Sequence, residues 1–551
     1  MIFVSAQPAE DFFLWQIKVM LNNFNRLGIQ GSDIHILFGY KDEIPLNVID
    51  FVQNNREAQF FFYEDTRLSK VYLSSIRPHI LAKHFKLHAN LSQECIFYHD
   101  VDILFTENFD GFESLLEDEI WYFSPANYIA ASQVISIDGL NVLKGMCEIV
   151  GIDRKLVQRN DINAGGAQYI MKNLDYTFWD KVELDCENIY KFLLKNEEKK
   201  PYKDHISSWC TDMYVVYWNS LLNAKVKSVK ELDFCWPHDD IKRYSECSIF
   251  HNSGVFPKNA KDYFYKSGFY SSEPYFKDFS FVSEHCCSSK YVEEIYKTED
   301  KLLYNANDCT FIIPIKIDSP ERYENLITSV SFLLKFFECK ILILEADISQ
   351  KVYFKHPNVE CLFIYDASKI YRRQMYNNQM AALCTTKIII KYDCDVIIPP
   401  SQIYQSILKV RYDTNKISYP YDGRFINAAG PLKSEFIATK NIRIFDKYLL
   451  KVWNSMFLSC GGCVVLNRNT YLQVGGDNEK FNGWGFEDQE LKKRFEILGL
   501  FVHRAKGALY HLSHPQLNNS YFFSEEEKNN SYKIYLDTCA SSKHLLEKYG
   551  N

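Results

Sequence analysis

A chain of 551 residues exceeds what one ordinary core organises, at roughly 150 residues per domain, and points to two large domains. Hydrophobic residues at 47% and aromatics at 16% supply ample core material and exclude extended disorder, while a formal net charge of -7 provides no global basic field and sets nucleic acid aside as a partner. Sixteen cysteines scattered without small-domain spacing read as free thiols of a reducing compartment; with no secretory leader and no apolar run of membrane-spanning length, the expectation is a cytoplasmic protein, with peripheral attachment at the inner membrane face left open.

Along the chain, a short apolar run at Ile2 to Val4, an amphipathic stretch from Phe12 to Leu27 and a second run at Ile34 to Phe38 form a β-α-β pattern. Further runs follow at Phe60 to Tyr63 and Cys95 to Tyr98, the latter leading directly into His99-Asp100-Val101-Asp102. Residues 256–305, rich in Ser, Lys, Tyr and Glu with weak periodicity, read as connecting structure after a first domain over 1–255. The plan then restarts, over a second domain at 306–520: a strand at Phe311 to Ile315, a helix at Tyr323 to Phe337, strands at Lys340 to Leu344 and Cys361 to Tyr365, a helix around Tyr371 to Cys384, and the run Ile388-Ile389-Ile390 leading into Asp393-Cys394-Asp395. Residues 521–551 read as a peripheral helix or tail. Alternation of this kind predicts an α/β fold with mainly parallel sheets, where ligands bind beyond the carboxyl ends of the strands, and both acid pairs fall on that rim.

Two aspartates one residue apart, just past a strand, can turn one carboxylate to a cation and the other to a ligand. Oxygen ligands suit Mg²⁺ or Mn²⁺, and an added imidazole shifts the preference toward Mn²⁺. Each half supplies an imidazole further on: His251 in the first, His511 or His514 in the second. A solvated turn is the plain reading of one such acid pair; two at matching places make a stronger pattern. Cys460-Gly461-Gly462-Cys463 has half the spacing of a zinc site but lacks the second pair.

The most specific segment is Phe481-Asn482-Gly483-Trp484-Gly485-Phe486-Glu487-Asp488. An apolar stripe of Leu491, Phe495 and Leu498 predicts a helix from about Glu487, putting Glu487 and Asp488 in its first turn. Acids there complement the helix dipole, which suffices for Glu490. The Gly-Trp-Gly asks for more: a flat indole between glycines can pack on a sugar face while the adjacent carboxylates bind hydroxyls or take a proton.

With Arg322, Arg373, Asp393-Cys394-Asp395, Gly461-Gly462 and Gly475-Gly476 upstream and His511 or His514 downstream, this segment resembles the inverting glycosyltransferases of the β-1,4-galactosyltransferase and chondroitin-polymerase type. The resemblance implies Asp395 as the more direct metal ligand, Asp393 beside it, Asp488 as catalytic base, Glu487 holding the acceptor, Trp484 and Gly485 against the sugar, and Arg322 and Arg373 at the nucleotide. Phe486 departs from it, standing where the family has a small residue. The first half is similar, more sparsely, to retaining enzymes of the glycogenin and hydroxyproline arabinosyltransferase types, through Trp15-Gln16, Arg77-Pro78, Asp100-Val101-Asp102, Asn163 to Gln168, Trp209 to Asp212 and His251. That likeness implies metal ligation by Asp100, Asp102 and His251, Arg77 at the donor diphosphate, Gly165, Gly166, Gln168 and Asp212 at the sugar, and no dedicated base.

Together these readings imply two tandem GT-A, Rossmann-like nucleotide-sugar-binding domains, each with one Mn²⁺ or Mg²⁺. The expected function is bifunctional transfer from nucleotide sugars, uridine diphosphate sugars foremost, to a growing glycan. The alternatives are a single active C-terminal domain with an N-terminal acceptor-binding module, and a metal-dependent phosphohydrolase, which would leave the Gly-Trp-Gly segment without a task.

Overall fold

A computed structural model describes residues 1–199, 201, 204–412, 416–448, 459–482, 485–515, 517 and 524–546. The chain divides into two compact units, Met1–Pro274 with Phe279–Asp300, and Tyr275–Asp278 with Lys301–Asn551. Most of the segment read as connecting structure thus folds with the first unit, where helix Ser288–Glu299 packs on helix Asp11–Arg26 and Glu294 receives Asn22 Nδ2 at 2.8 Å.

The first unit contains strands β1 (Ile2–Pro8), β2 (Ile34–Tyr40), β3 (Gln59–Glu64), β4 (Ile96–Tyr98), β5 (Ile103–Phe105), β6 (Trp121–Pro125), β7 (Gly165–Met171), β8 (Val226–Ser228), β9 (Phe234–Cys235) and β10 (Ile249–His251). The second contains β11 (Tyr304–Ile315), β12 (Phe337–Asp347), β13 (Val359–Tyr365), β14 (Ile388–Tyr392), β15 (Val396–Ile397), β16 (Ile417–Tyr419), β17 (Phe425–Ala428), β18 (Cys463–Asn467), β19 (Val502–Arg504) and β20 (Leu509–Leu512). The apolar runs in the sequence became the central strands: β2 and β14 are buried on both faces, as parallel strands between helical layers must be.

The large sheets run β3-β2-β1-β4-β7-β6-β8 and β13-β12-β11-β14-β18-β16-β19. Pairing directions correspond throughout: β7 and β18 each lie antiparallel between their neighbours, and every other junction is parallel. This is a Rossmann-like α/β arrangement, present twice. Each unit adds a three-stranded sheet, β5-β10-β9 and β15-β20-β17, with one difference in descent: β9 follows β8 in the chain, whereas β17 precedes β18. No helix among the described residues is long and apolar enough to cross a membrane, and among those residues, which include every cysteine, no disulfide forms.

Helix Glu487–Ile497 starts where the sequence placed it. Leu491 and Phe495 are buried as predicted, but Leu498 only caps the end, and the inward face is completed by Glu490 and Arg494, each 2% exposed and paired at 3.0 Å. Glu490 is therefore no solvated dipole partner; it also accepts a hydrogen bond from Thr538 Oγ1 at 3.1 Å. Thr538 belongs to helix Glu525–Ala540, whose Tyr532 and Tyr535 pack on Phe486 at 5.2 and 5.9 Å. Helix Glu525–Ala540 is thus anchored on helix Glu487–Ile497, with Phe486 as one of its packing partners.

Candidate active site

Strand register assembles both sites. In the first unit β10 runs antiparallel to β5 with His251 opposite Ile103, the residue after Asp102, and Asn252 N–H donates to Asp102 O at 2.8 Å. In the second, β20 runs antiparallel to β15 with His511 opposite Val396, the residue after Asp395, and Leu512 N–H donates to Asp395 O at 2.7 Å. A two-strand pairing thus carries a histidine from the end of each domain to the second acid of its pair. His251 Nε2 lies 3.3 Å from Asp102 and 3.6 Å from Asp100; His511 Nε2 lies 3.8 Å from Asp395 and His514 Nε2 3.0 Å.

Among the described residues two groups could hold a metal ion: Asp100, Asp102 and His251, and Asp395, His511 and His514. In each, the three donor atoms lie within 4.8 Å of one another, so one ion could bridge all three. The sequence left His511 and His514 as alternatives; the structure brings both to Asp395. It leaves Asp393 outside that group, drawn instead to Arg373 Nη2.

Amides steady both imidazoles. His511 Nδ1–H donates to Asn427 Oδ1 at 3.0 Å, fixing the tautomer whose Nε2 faces Asp395. In the first unit Gln168, fully buried, has its Nε2 3.3 Å from His251 Nδ1, while its Oε1 has no hydrogen-bond partner. Turned toward Nδ1–H, that oxygen would fix the same tautomer. The neighbour the structure gives Gln168 is thus His251.

The arginines also correspond. Arg77 opens the helix between β3 and β4, Ile76–Leu87, and lies 2.8 Å from Asp100 and 3.6 Å from Asp212. Arg373 opens the helix between β13 and β14, Arg373–Leu383; beyond Asp393 it lies 3.7 Å from Glu487 and 3.8 Å from Asp488. Arg322 sits in the first turn of helix Pro320–Phe336, which Ser319 caps and Pro320 pre-forms, and reaches Asp395 at 3.4 Å. Its counterpart at Asp102 is Lys266, from the segment read as connecting structure.

Electrostatics separate the acids within each pair. Burial by itself would raise Asp395, but the His514 hydrogen bond and the nearby His511 and Arg322 charges hold its carboxyl well below the usual range. Burial likewise opposes ionisation of Asp102, and Lys266 and His251 overcome it. Asp393 is pushed up to about 6 by burial, with Arg373 offsetting part and the Asp395 and Asp488 charges adding to the rise. Glu487 is pushed up to about 7 by burial and by Asp488; its Oε2 accepts from Gly485 N–H at 2.7 Å. Burial also raises Asp212, against Arg77.

Close backbone approach explains particular glycines. A Cβ on Gly461 would meet Asp488 Oδ2 at 2.9 Å, so this chain segment can lie beside the carboxylate only without a side chain. Gly165 and Gly166 open β7 rather than a loop, and a Cβ would meet Ser124 O at 2.6 Å or Met213 Cε at 2.7 Å, so the packing around β7 admits no side chain at either position. Trp15 too is buried, its Nε1 donating to Phe269 O at 3.3 Å. Trp484 lies outside the described residues.

Residues 443–515 match the family described as the N-terminal domain of galactosyltransferase. That segment contains Gly461, Glu487, Asp488, His511 and His514 of the second site, while Arg322, Arg373, Asp393 and Asp395 lie before it. No curated protein matches the sequence. Similar solved structures include the catalytic domain of Drosophila beta1,4galactosyltransferase 7 in complex with xylobiose, 14% identical, covering 42% of this chain and 80% of that one at a TM-score of 0.27. Glucosyl-3-phosphoglycerate synthase from Mycobacterium tuberculosis in complex with Mn²⁺, uridine diphosphate and phosphoglyceric acid is 11% identical, covering 42% and 78% at a TM-score of 0.25.

Sequence reasoning missed Lys391, Asp477, Asn427 and Lys266. Lys391 Nζ, 4% exposed, lies 2.8 Å from both Asp477 oxygens and 3.9 Å from Asp488, while Asn377 Nδ2 donates to Asp477 at 2.8 Å. A lysine inside the apolar run Ile388-Ile389-Ile390-Lys391-Tyr392 was the available signal, since a buried ammonium requires a partner. Lys266 and Asn427 carry no such mark.

Proposed function

We propose that the chain is a metal-dependent glycosyltransferase with a transfer site in each domain, using nucleotide-sugar donors, uridine diphosphate sugars foremost, to extend a glycan. The observation that carries this reading is the repeated register that sets His251 across from Asp102 and His511 across from Asp395. Mn²⁺ or Mg²⁺ bound at these groups would stabilise the charge developing on the departing diphosphate. In the first domain Asp100, Asp102 and His251 would hold it; in the second, Asp395, His511 and His514.

In the second domain Asp488 takes the acceptor hydroxyl proton as the oxygen attacks the sugar from the face opposite the diphosphate. Arg373 aims the carboxylate from one side, Lys391 stands on another, and Gly461 leaves room for an acceptor beside it. Glu487 binds acceptor hydroxyls. Arg322 and Lys266, poised at the second acid of each pair, are placed to meet donor phosphates.

Counting bound Mn²⁺ by electron paramagnetic resonance tests the reading: two ions per chain are expected, with Asp102→Ala and Asp395→Ala each removing one and each abolishing a different sugar-transfer activity. A first site that binds neither Mn²⁺ nor uridine diphosphate would reduce that domain to an acceptor-binding module. Donor cleavage that no glycan accelerates in either domain would point instead to a phosphohydrolase.

A further inference from the structure

We infer that Asp212 is the catalytic base of the first site, and that this domain therefore inverts the sugar it transfers. The inference rests on the proposed function, in particular on Asp488 as the base of the second site.

The two domains correspond strand for strand, so positions can be matched without reference to any other protein. Asp488 lies in the first turn of the last helix before β19; Asp212 lies in the first turn of helix Thr211–Asn223, the last helix before β8. Asp488 Oδ2 faces Arg373 at 3.8 Å and Asp212 Oδ2 faces Arg77 at 3.6 Å, and each arginine also holds the first acid of its own metal-binding pair. The two side chains are similarly accessible, 16% and 20% exposed. Tyr72 OH lies 3.0 Å from Asp212 Oδ1 and 2.7 Å from Trp209 O, so its one proton is shared between these two acceptors, and Met213 N–H donates to the same Asp212 oxygen at 3.0 Å, which holds the carboxylate in place. The likeness to retaining enzymes would give Asp212 a place at the donor sugar instead; the match to Asp488 in helix position and arginine partner favours a base.

The step balances as follows. The acceptor oxygen forms the new bond to the anomeric carbon, its proton passes to Asp212 Oδ2, and the bond from that carbon to the diphosphate oxygen breaks with the electron pair leaving on the nucleoside diphosphate. Burial strengthens Asp212 as a proton acceptor, with Arg77 moderating the effect.

The test uses the full chain carrying Asp488→Asn, so that turnover reports the first site, with the α-linked donors UDP-glucose, UDP-galactose and UDP-N-acetylglucosamine, Mn²⁺, and water as acceptor. Proton NMR identifies the anomer first released. We expect the β anomer, and we expect Asp212→Asn added to this background to lower turnover by ~10²–10⁴-fold while thermal stabilisation by UDP and Mn²⁺ persists. Release of the α anomer, or turnover that survives Asp212→Asn, overturns the inference and leaves the first domain a glycosyltransferase. Absence of any turnover sensitive to Asp102→Ala overturns the first domain's proposed activity, and the inference with it.

Discussion

The first site gathers two carboxylates and one imidazole around a cation position, the second one carboxylate and two imidazoles, although the sheet, the acid spacing and the histidine register are the same. The difference has a local cause. Arg373 faces Glu487 and Asp488 as well as Asp393 and draws that aspartate toward them, while His514, three residues past His511, takes the remaining side of Asp395. In the first domain Arg77 leaves Asp100 within reach of His251, and the residue three past His251 is Gly254. The scaffold thus fixes where a cation can sit, and the neighbours of the acid pair decide which atoms surround it. With more imidazole, the second site should discriminate against Mg²⁺ more strongly than the first.

The most severe way to break the comparison is to remove the proposed base. Asp488→Asn should lower second-site transfer by ~10²–10⁴-fold and leave first-site turnover unchanged, measured with separate donor and acceptor pairs; a loss of both activities would mean the sites are not independent. The supporting amides come next. Asn427→Ala should weaken Mn²⁺ binding at the second site by ~10–100-fold and Gln168→Ala should do the same at the first, each read by Mn²⁺ titration of the full chain. Equal losses would establish the amides as equivalent devices.

Acid should separate the domains by a further effect. In the first, His35 Nδ1 lies 3.0 Å from His84 Nε2, and Tyr63 OH lies 2.7 Å from His84 Nδ1. Burial and neighbouring histidines hold His35 down to about 4 and His84 to about 2. The folded form stays neutral while the unfolded chain binds protons below its ordinary value of about 6.5, so stability present at pH 7 is lost as pH falls from there toward 4. Between pH 7 and 5 the loss should be on the order of 2 kcal/mol per histidine, checked by hydrogen exchange of the first domain, and His84→Phe should reduce it. The smallest expected change concerns Glu487. Because Glu487, pushed up to about 7, gains its charge only through that region, second-site transfer should rise by a few-fold there, and Glu487→Gln should flatten the profile.

Much of this was legible in the sequence because it rests on local pattern. Continuous apolar runs such as Ile388-Ile389-Ile390 marked the buried strands, and the acids after them marked the rim. Histidines in apolar strands late in each half were legible as candidate ligands for the same reason, and the structure brings them beside the acids. What stayed hidden depends on pairing between distant segments. Lys266 meets Asp102 across 164 residues and Asn427 meets His511 across 84, and neither residue type nor spacing announces such a contact. Gln168, Gly165 and Gly166 were legible as a motif but not in their tasks, since only the packing of β7 shows what lies against them. Glu490 reads as a first-turn acid until the buried Arg494 and Thr538 beside it are known.

Each histidine ligand rides on the strand that closes its small sheet, at the far end of its domain's sequence. A growing or truncated polypeptide would therefore display an acid pair without its imidazole. Capture of each ion is tied to the histidine strand of its domain, so metal loading would double as a check on completeness: added manganese should shield whole chains from proteolysis, leave fragments cut before residue 249 as vulnerable as before, and in fragments cut between residues 301 and 509 protect the first domain alone.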